Sequence, residues 1–89
     1  MDIGEAFLDA KARLEKLTER PTNEELLKMY GLVKQAEVGD INRKKPGMFD
    51  LKGQFKWKAW KGFEGTSKED AMQQFIDLAD ELLGKYAHD

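Results

Sequence analysis

The sequence predicts an all-α protein: a small four-helix bundle folded as a single domain over residues 1–89. Three observations lead there. Apolar residues recur at helical spacing in four separate segments. Side-chain caps stand in front of several of those segments. No segment shows the alternating β-branched pattern of a strand. With 89 residues, a second hydrophobic core could not be buried.

The first helix is expected from about Gly4 to Thr18, with Ile3, Ala6, Phe7, Ala10, Leu14 and Leu17 along one stripe. Glu19 to Pro21 ends it, because the residue before a proline is pushed out of the helical region. Thr22 and Glu25 form a capping box that opens the second helix. Its stripe is Leu26, Leu27, Tyr30, Val33 and Ala36, and Gly39 is its stop. Asp40 to Phe49 reads as a loop about ten residues long, more than a usual helix connection. Asp50 caps a short aromatic third helix, from about Leu51 to Phe63, with Phe55, Trp57, Trp60 and Phe63. Two overlapping caps, Thr66 with Glu69 and Ser67 with Asp70, precede a fourth helix that runs to about Tyr86. Its apolar face holds Ala71, Met72, Phe75, Ile76, Ala79, Leu82, Leu83 and Tyr86.

Composition excludes several kinds of chemistry. The chain has no cysteine, so a disulfide framework, a thiolate zinc site and a cysteine nucleophile are all absent. A fold held by packing alone suits a reducing compartment. No apolar run approaches the roughly 20 residues of a membrane-crossing helix, so stable membrane insertion is not expected. The start of the chain carries Asp2 and Glu5 instead of a basic, then apolar, leader. His88 is the only imidazole, and its place at the end predicts a frayed, solvated side chain. Ser67 reads as a helix cap, not a nucleophile. No catalytic set, metal site or cofactor motif is expected.

Charge is unevenly placed. Residues 40–62 hold seven basic side chains (Arg43, Lys44, Lys45, Lys52, Lys56, Lys58 and Lys61) against Asp40 and Asp50, a local sum of +5. The remaining residues hold eight basic and fifteen acidic side chains, a sum of −7. Such a chain is ill suited to nucleic acid, whose long-range field repels the acidic remainder, and better suited to one compact polyanion. The plain alternative is a solvated helix face. Tyr30 and Lys34 are four apart on one helix, as are Lys52 and Lys56 on another, so each pair shares a face. Convergence of the two pairs would gather three ammonium groups and a phenol, which suits a phosphorylated ligand. The aromatic residues nearby read first as core.

Four stretches carry a resemblance. They are K-Q-A-E-V-G-D-I-N at Lys34 to Asn42, P-G-M-F-D at Pro46 to Asp50, K-W-K-A-W at Lys56 to Trp60, and S-K-E-D-A-M at Ser67 to Met72. In this order and spacing the chain resembles the acyl-CoA-binding protein family, from Phe7 to about Tyr86. The resemblance implies an up-down-down-up bundle with an overhand connection between the second and third helices. It implies a non-enzymatic, monomeric, cytoplasmic carrier of medium- and long-chain acyl-CoA esters, chiefly C12–C20. By the same resemblance, Tyr30, Lys34 and Lys56 match residues for the CoA phosphates, and Lys52 a further basic position. Tyr30, Gly31, Leu32, Val33 and Lys34 match the segment along the nucleotide, where Phe75 supplies a ring. Leu26 and Leu27 match the acyl groove, and Phe7, Leu14, Leu17, Ile76 and Leu82 match core positions.

The chain departs from the family's usual residues at several points. Val33 stands where an aromatic is common, Phe75 where a tyrosine is usual, and Glu15 where a basic residue is common. Lys11 replaces a small residue, Glu37 a threonine and Lys45 an arginine. The alternatives to a carrier are a small helical interaction module, whose exposed aromatics dock a protein, and a regulatory domain of a longer chain.

Overall fold

The computed structural model describes residues 1–89. It has four helices: α1 (Ile3–Leu14), α2 (Asn23–Glu37), α3 (Leu51–Lys61) and α4 (Lys68–Lys85). Each starts at a side-chain cap. Asp2 accepts from the Glu5 amide at 2.8 Å, Asp50 from Gly53 at 2.9 Å, and Ser67 from Asp70 at 3.0 Å. Thr22 and Glu25 form the full reciprocal box. Of the two caps read before α4, only the Ser67 one forms. The Thr66 amide instead donates to the Phe63 carbonyl at 2.9 Å, closing the preceding turn.

Helix ends fall earlier than the sequence predicts. α1 stops at Leu14, and the chain tightens into turns in which the Glu15, Lys16 and Leu17 amides each bond three residues back. The next residues are taken by the C-terminus. The Thr18 amide donates to the Ala87 carbonyl and the Asp89 amide to the Lys16 carbonyl, both at 2.9 Å, around an antiparallel bridge of Leu17 and His88. The His88 side chain is exposed, as expected, but its backbone is tied down and not frayed. α3 ends at Lys61, two residues before Phe63, and α4 hands over to Tyr86 as its cap. Gly39 at φ +99° and Gly65 at φ +89° take the left-handed turns that close α2 and the segment before α4.

Contacts set the helix directions. Phe7 meets Phe75 edge-on, with centroids 5.2 Å apart, and Arg13 bridges to Asp80 at 3.0 Å. Position rises together on both helices, so α1 and α4 are parallel. Glu25 meets Tyr86 and Lys85, while Gln35 meets Thr66, so α2 runs against α4. Tyr30 faces Lys56 and Lys34 faces Trp60, so α2 and α3 run together. The order is up, down, down, up, and the long loop carries the overhand crossing.

The core is Phe7, Ala10 and Leu14 of α1, Leu32 and Ala36 of α2, and Ala71, Phe75, Leu78, Ala79 and Leu82 of α4. α4 lies in the middle, packed on both α1 and α2, whereas α3 packs on α2. Of the core positions expected, Leu17 and Ile76 are half-buried at its margin. The only buried side chain of α3 is Trp60. The remaining apolar groups of that helix therefore lie at or near the surface, an arrangement that leaves the α2–α3 side open for other work.

Glu25 fastens the N-terminal end of α2 to α4. Its carboxylate accepts from the Thr22 amide at 2.9 Å, from the Tyr86 hydroxyl, and from Lys85 Nζ at 3.1 Å. The Tyr86 hydroxyl is the main cause, and the Thr22 amide the next, that holds this carboxyl at about 2 against an ordinary 4.5. A carboxyl depressed by folding stabilises the fold above its unfolded pKa. That contribution is lost as pH falls from about 4.5 towards about 2. Thermal melts of wild type and Glu25→Gln should therefore differ most near neutral pH, with wild type the more stable. The gap should narrow steadily as pH falls through that window.

Candidate functional site

The site begins with the approach of α2 to α3. A Cβ placed on Gly31 would lie 2.5 Å from the Ala59 carbonyl oxygen and 2.9 Å from Phe63 Cδ2. Only glycine allows the two backbones to lie this close. The approach sets the register on either side of it. One residue before Gly31, the Tyr30 ring lies beneath Lys56 Nζ, 5.4 Å from its centroid. Three residues after it, Lys34 Nζ lies 5.5 Å from the Trp60 centroid, and Arg43 Cζ is 5.8 Å from the same ring.

Trp60 is buried, and its indole N–H donates to the Gly39 carbonyl at 2.8 Å. The end of α2 is pinned by Gln35, also buried, whose Nε2 donates to Asp40 Oδ1 at 2.9 Å and to the Thr66 carbonyl at 2.7 Å. Asp40 Oδ1 accepts in addition from the Gly65 amide at 2.8 Å. That amide, followed by Gln35, keeps the Asp40 carboxyl below its ordinary range. Gln35 and Asp40 thus join the loop before α3 to the turn before α4. The stretch Lys34 to Asp40 acquires a physical reading: Lys34 is a cation on an aromatic ring, Gln35 and Asp40 are the tie, and Gly39 is the left-handed turn.

Two grooves flank this framework. The first, of about 720 Å³, lies between the start of α2 and α3, and it is lined by Leu26, Leu27, Tyr30, Lys52, Phe55 and Lys56, with Arg20, Asn23 and Glu24 at its end. The second, of about 400 Å³, is lined by Lys11, Leu14 and Glu15 of α1 and its margin, Leu26, Met29, Tyr30 and Val33 of α2, and Phe75 of α4. Leu26 and Tyr30 belong to both, so the grooves adjoin across that pair. Lys34, Lys52 and Lys56 take part in none of the five ion pairs of the fold. Lys11, by contrast, is held by Glu37 at 2.8 Å.

Most residues singled out from the sequence converge here. Tyr30, Lys52, Lys56, Leu26 and Leu27 line the first groove, and Val33 and Phe75 line the second. Lys34 is on the same side but rests on Trp60 outside both linings. Two of the expected residues present no side chain to a ligand. Leu32 is 0% exposed and points into the α1–α4 core, so its side chain is closed to any ligand. Gly31 is buried under α3 and acts as a spacer. Sequence reasoning missed Phe55, Arg20, Asn23 and Glu24 as groove residues. Phe55 follows Leu51 by four positions, the only signal that both share an outward face.

Fold and site together define a class: a helical bundle whose apolar groove is edged by unpaired ammonium groups, chemistry suited to an amphipathic anion. Comparison with known proteins narrows the class. The family model described as "Acyl CoA binding protein" matches residues 4–79, and the chain belongs to that family of binding proteins. It is 49% identical to acyl-CoA-binding protein homolog 1 of Caenorhabditis elegans, over 91% of this chain and 94% of that one. It is 45% identical to the acyl-CoA-binding protein homolog of Drosophila melanogaster, over 96% and 99%. The crystal structure of Oryza sativa acyl-CoA-binding protein 2 superposes with a TM-score of 0.90 at 40% identity, covering 94% of this chain and 93% of that one. The family match favours a carrier over an interaction module.

If the α2–α3 approach depends on Gly31, Gly31→Ala should force the helices apart. Overpacking against backbone predicts a loss of about 1–3 kcal/mol in urea unfolding. Tryptophan emission should shift with it, since Trp60 is held by the same contact.

Proposed function

We propose that this protein binds acyl-CoA esters non-covalently and carries them as a cytoplasmic pool, acting as a monomer and without catalysing a reaction. The observation that carries the reading is the adjoining of two grooves across Leu26 and Tyr30, with Lys56 over the Tyr30 ring at the junction. An acyl-CoA has the same order of parts: an apolar chain, then a phosphorylated linker, then a base. In this reading the chain lies along Leu26, Leu27 and Phe55. The phosphates take Lys56, Lys34 and the Tyr30 hydroxyl, with Lys52 beside them. The base lies near Val33 and Phe75, where valine offers an apolar edge but no π-face for stacking.

The lysines are stored in a form that a phosphate can claim. Cation–π contacts at exposed sites are worth about 0.5–1 kcal/mol, whereas charge-assisted bonds to an anion are worth about 1.5–3 kcal/mol. Transfer of Lys34 and Lys56 from ring to phosphate is therefore favourable. The names of the relatives point to the same ligand class, and the preference for C12–C20 chains is what the family resemblance implies.

Calorimetry with acyl-CoAs of increasing chain length, against free CoA and free fatty acid, tests the reading. Affinity should rise roughly tenfold per two carbons until the groove is filled, because each buried methylene contributes up to about 0.8 kcal/mol. A flat response from C8 to C16 would show that the groove does not take the acyl chain. Lys34→Ala and Lys56→Ala should each weaken binding by about 1.5–3 kcal/mol with helicity unchanged. That loss should shrink with 3′-dephospho acyl-CoA; an undiminished loss would take the lysines off that phosphate.

A further inference from the structure

One ion pair joins α1 to α2: Lys11 Nζ lies 2.8 Å from Glu37 Oε2. Glu37 follows Val33 by four residues and Lys34 by three, so it stands one turn beyond them on the same side of α2. The two helices run in opposite directions. Lys11 therefore marks the Glu37 end of the second groove, and Glu15, one turn along α1, marks its Leu26 end. The ends of this groove carry opposite charge, with Met29, Val33 and Phe75 as apolar lining. Glu15 enters no ion pair of the fold. Lys11 is held from two sides. Besides Glu37, its ammonium lies 5.4 Å from the Phe7 centroid, and the Phe7 ring meets Phe75 edge-on. The hold is a weak one. Both members of the pair are partly exposed, Lys11 at 36% and Glu37 at 45% of the side chain, and such pairs contribute little. A charge-assisted bond to a phosphate is stronger.

We infer that Lys11 is a phosphate-binding residue of the second groove, held in reserve by Glu37, and that this pair sets how tightly the nucleotide end of the ligand is bound. On the acyl-CoA reading, on which this assignment rests, the base lies near Val33 and Phe75, and both line the groove that Lys11 lines. Lys34 reaches the ligand from α2, and Lys11 reaches it from α1 across the groove. A phosphate at that end meets a cation from each helix. The order of charges also fixes direction. The phosphorylated end belongs at Lys11, because at the opposite end it would meet the free carboxylate of Glu15. Glu37 competes with the phosphate for one ammonium, so it holds affinity below what Lys11 alone would give. Neither Lys11 nor Glu37 is the family's usual residue at its position, so the device belongs to this chain.

Calorimetry with dodecanoyl-CoA and with dodecanoyl-pantetheine, which has the same chain and no phosphate, tests this role. Lys11→Met keeps an apolar stem beside Phe7 and removes the charge. It should weaken the CoA ester by about tenfold and leave the pantetheine ester unchanged. The loss should shrink in high salt, and Lys11→Arg should restore most of the affinity. Glu37→Gln should tighten the CoA ester by about threefold. That gain should vanish in the Lys11→Met background, where no ammonium is left to release. Circular dichroism would check that helicity is kept in each variant. Equal losses for both esters would make Lys11 a packing residue and overturn the inference. So would unchanged affinity in Lys11→Met, or a Glu37→Gln gain that persists without Lys11. Each of these results leaves wild-type binding of acyl-CoA standing. Wild type that binds neither ester would instead remove the carrier reading, and this role with it.

Discussion

The contact between Gly31 and the Ala59 carbonyl is the constraint on which the site depends. A side chain at position 31 would meet backbone, which cannot swing aside as a flexible side chain can. Its absence lets α3 lie against α2 in one register. That register brings Lys56 to Tyr30 and Lys34 to Trp60, and leaves the first groove open between the two helices. Among the helices α3 packs on α2 and buries little beyond Trp60, so its position is set at this contact together with the indole bonds of Trp60 to Gly39 and Trp57 to Arg43.

α2 carries this load because it is fastened at both ends. Glu25 ties its start to Tyr86 and Lys85, while Gln35 and Asp40 tie its end to the turns at Gly65 and Thr66. Between the ties, Leu32 and Ala36 enter the α1–α4 core. One face of the helix therefore holds the fold and the opposite edge holds the grooves. The division also explains why α3 can leave apolar groups outside: the core is complete without them. On the α1–α4 side the exposed ion pair of Arg13 with Asp80 adds little to the packed core.

Much of this was legible in the sequence, because much of it is local. The capping box at Thr22 and Glu25 and the caps at Asp50 and Ser67 lie within three residues of the amides they hold. Periodicity found the core face of α1 and α4 for the same reason. What was hidden depends on partners distant in sequence. α1 ends at Leu14 because residues 16–18 bond to residues 87–89. Leu32 and Val33 are adjacent, yet one is core and the other lines a groove; the way α1 and α4 pack on α2 separates them. Gln35 and Asp40 read as part of a motif, but their work is to reach Thr66 and Gly65, 31 and 25 residues away. Phe55 looked like core because aromatics usually are, and the outward turn of α3 was not written in its spacing.

The central claim is that one ligand spans both grooves across Leu26 and Tyr30. Amide chemical-shift mapping on isotopically labelled protein titrated with palmitoyl-CoA tests it most directly. The largest changes should fall at Leu26–Leu27, Tyr30, Val33–Lys34 and Lys52–Lys56, with a smaller response at Phe75. The outer face of α1 and α4, around Asp9, Asp80 and Glu81, should stay silent. Changes centred on that outer face, or confined to one groove with the other unaffected at saturation, would contradict it.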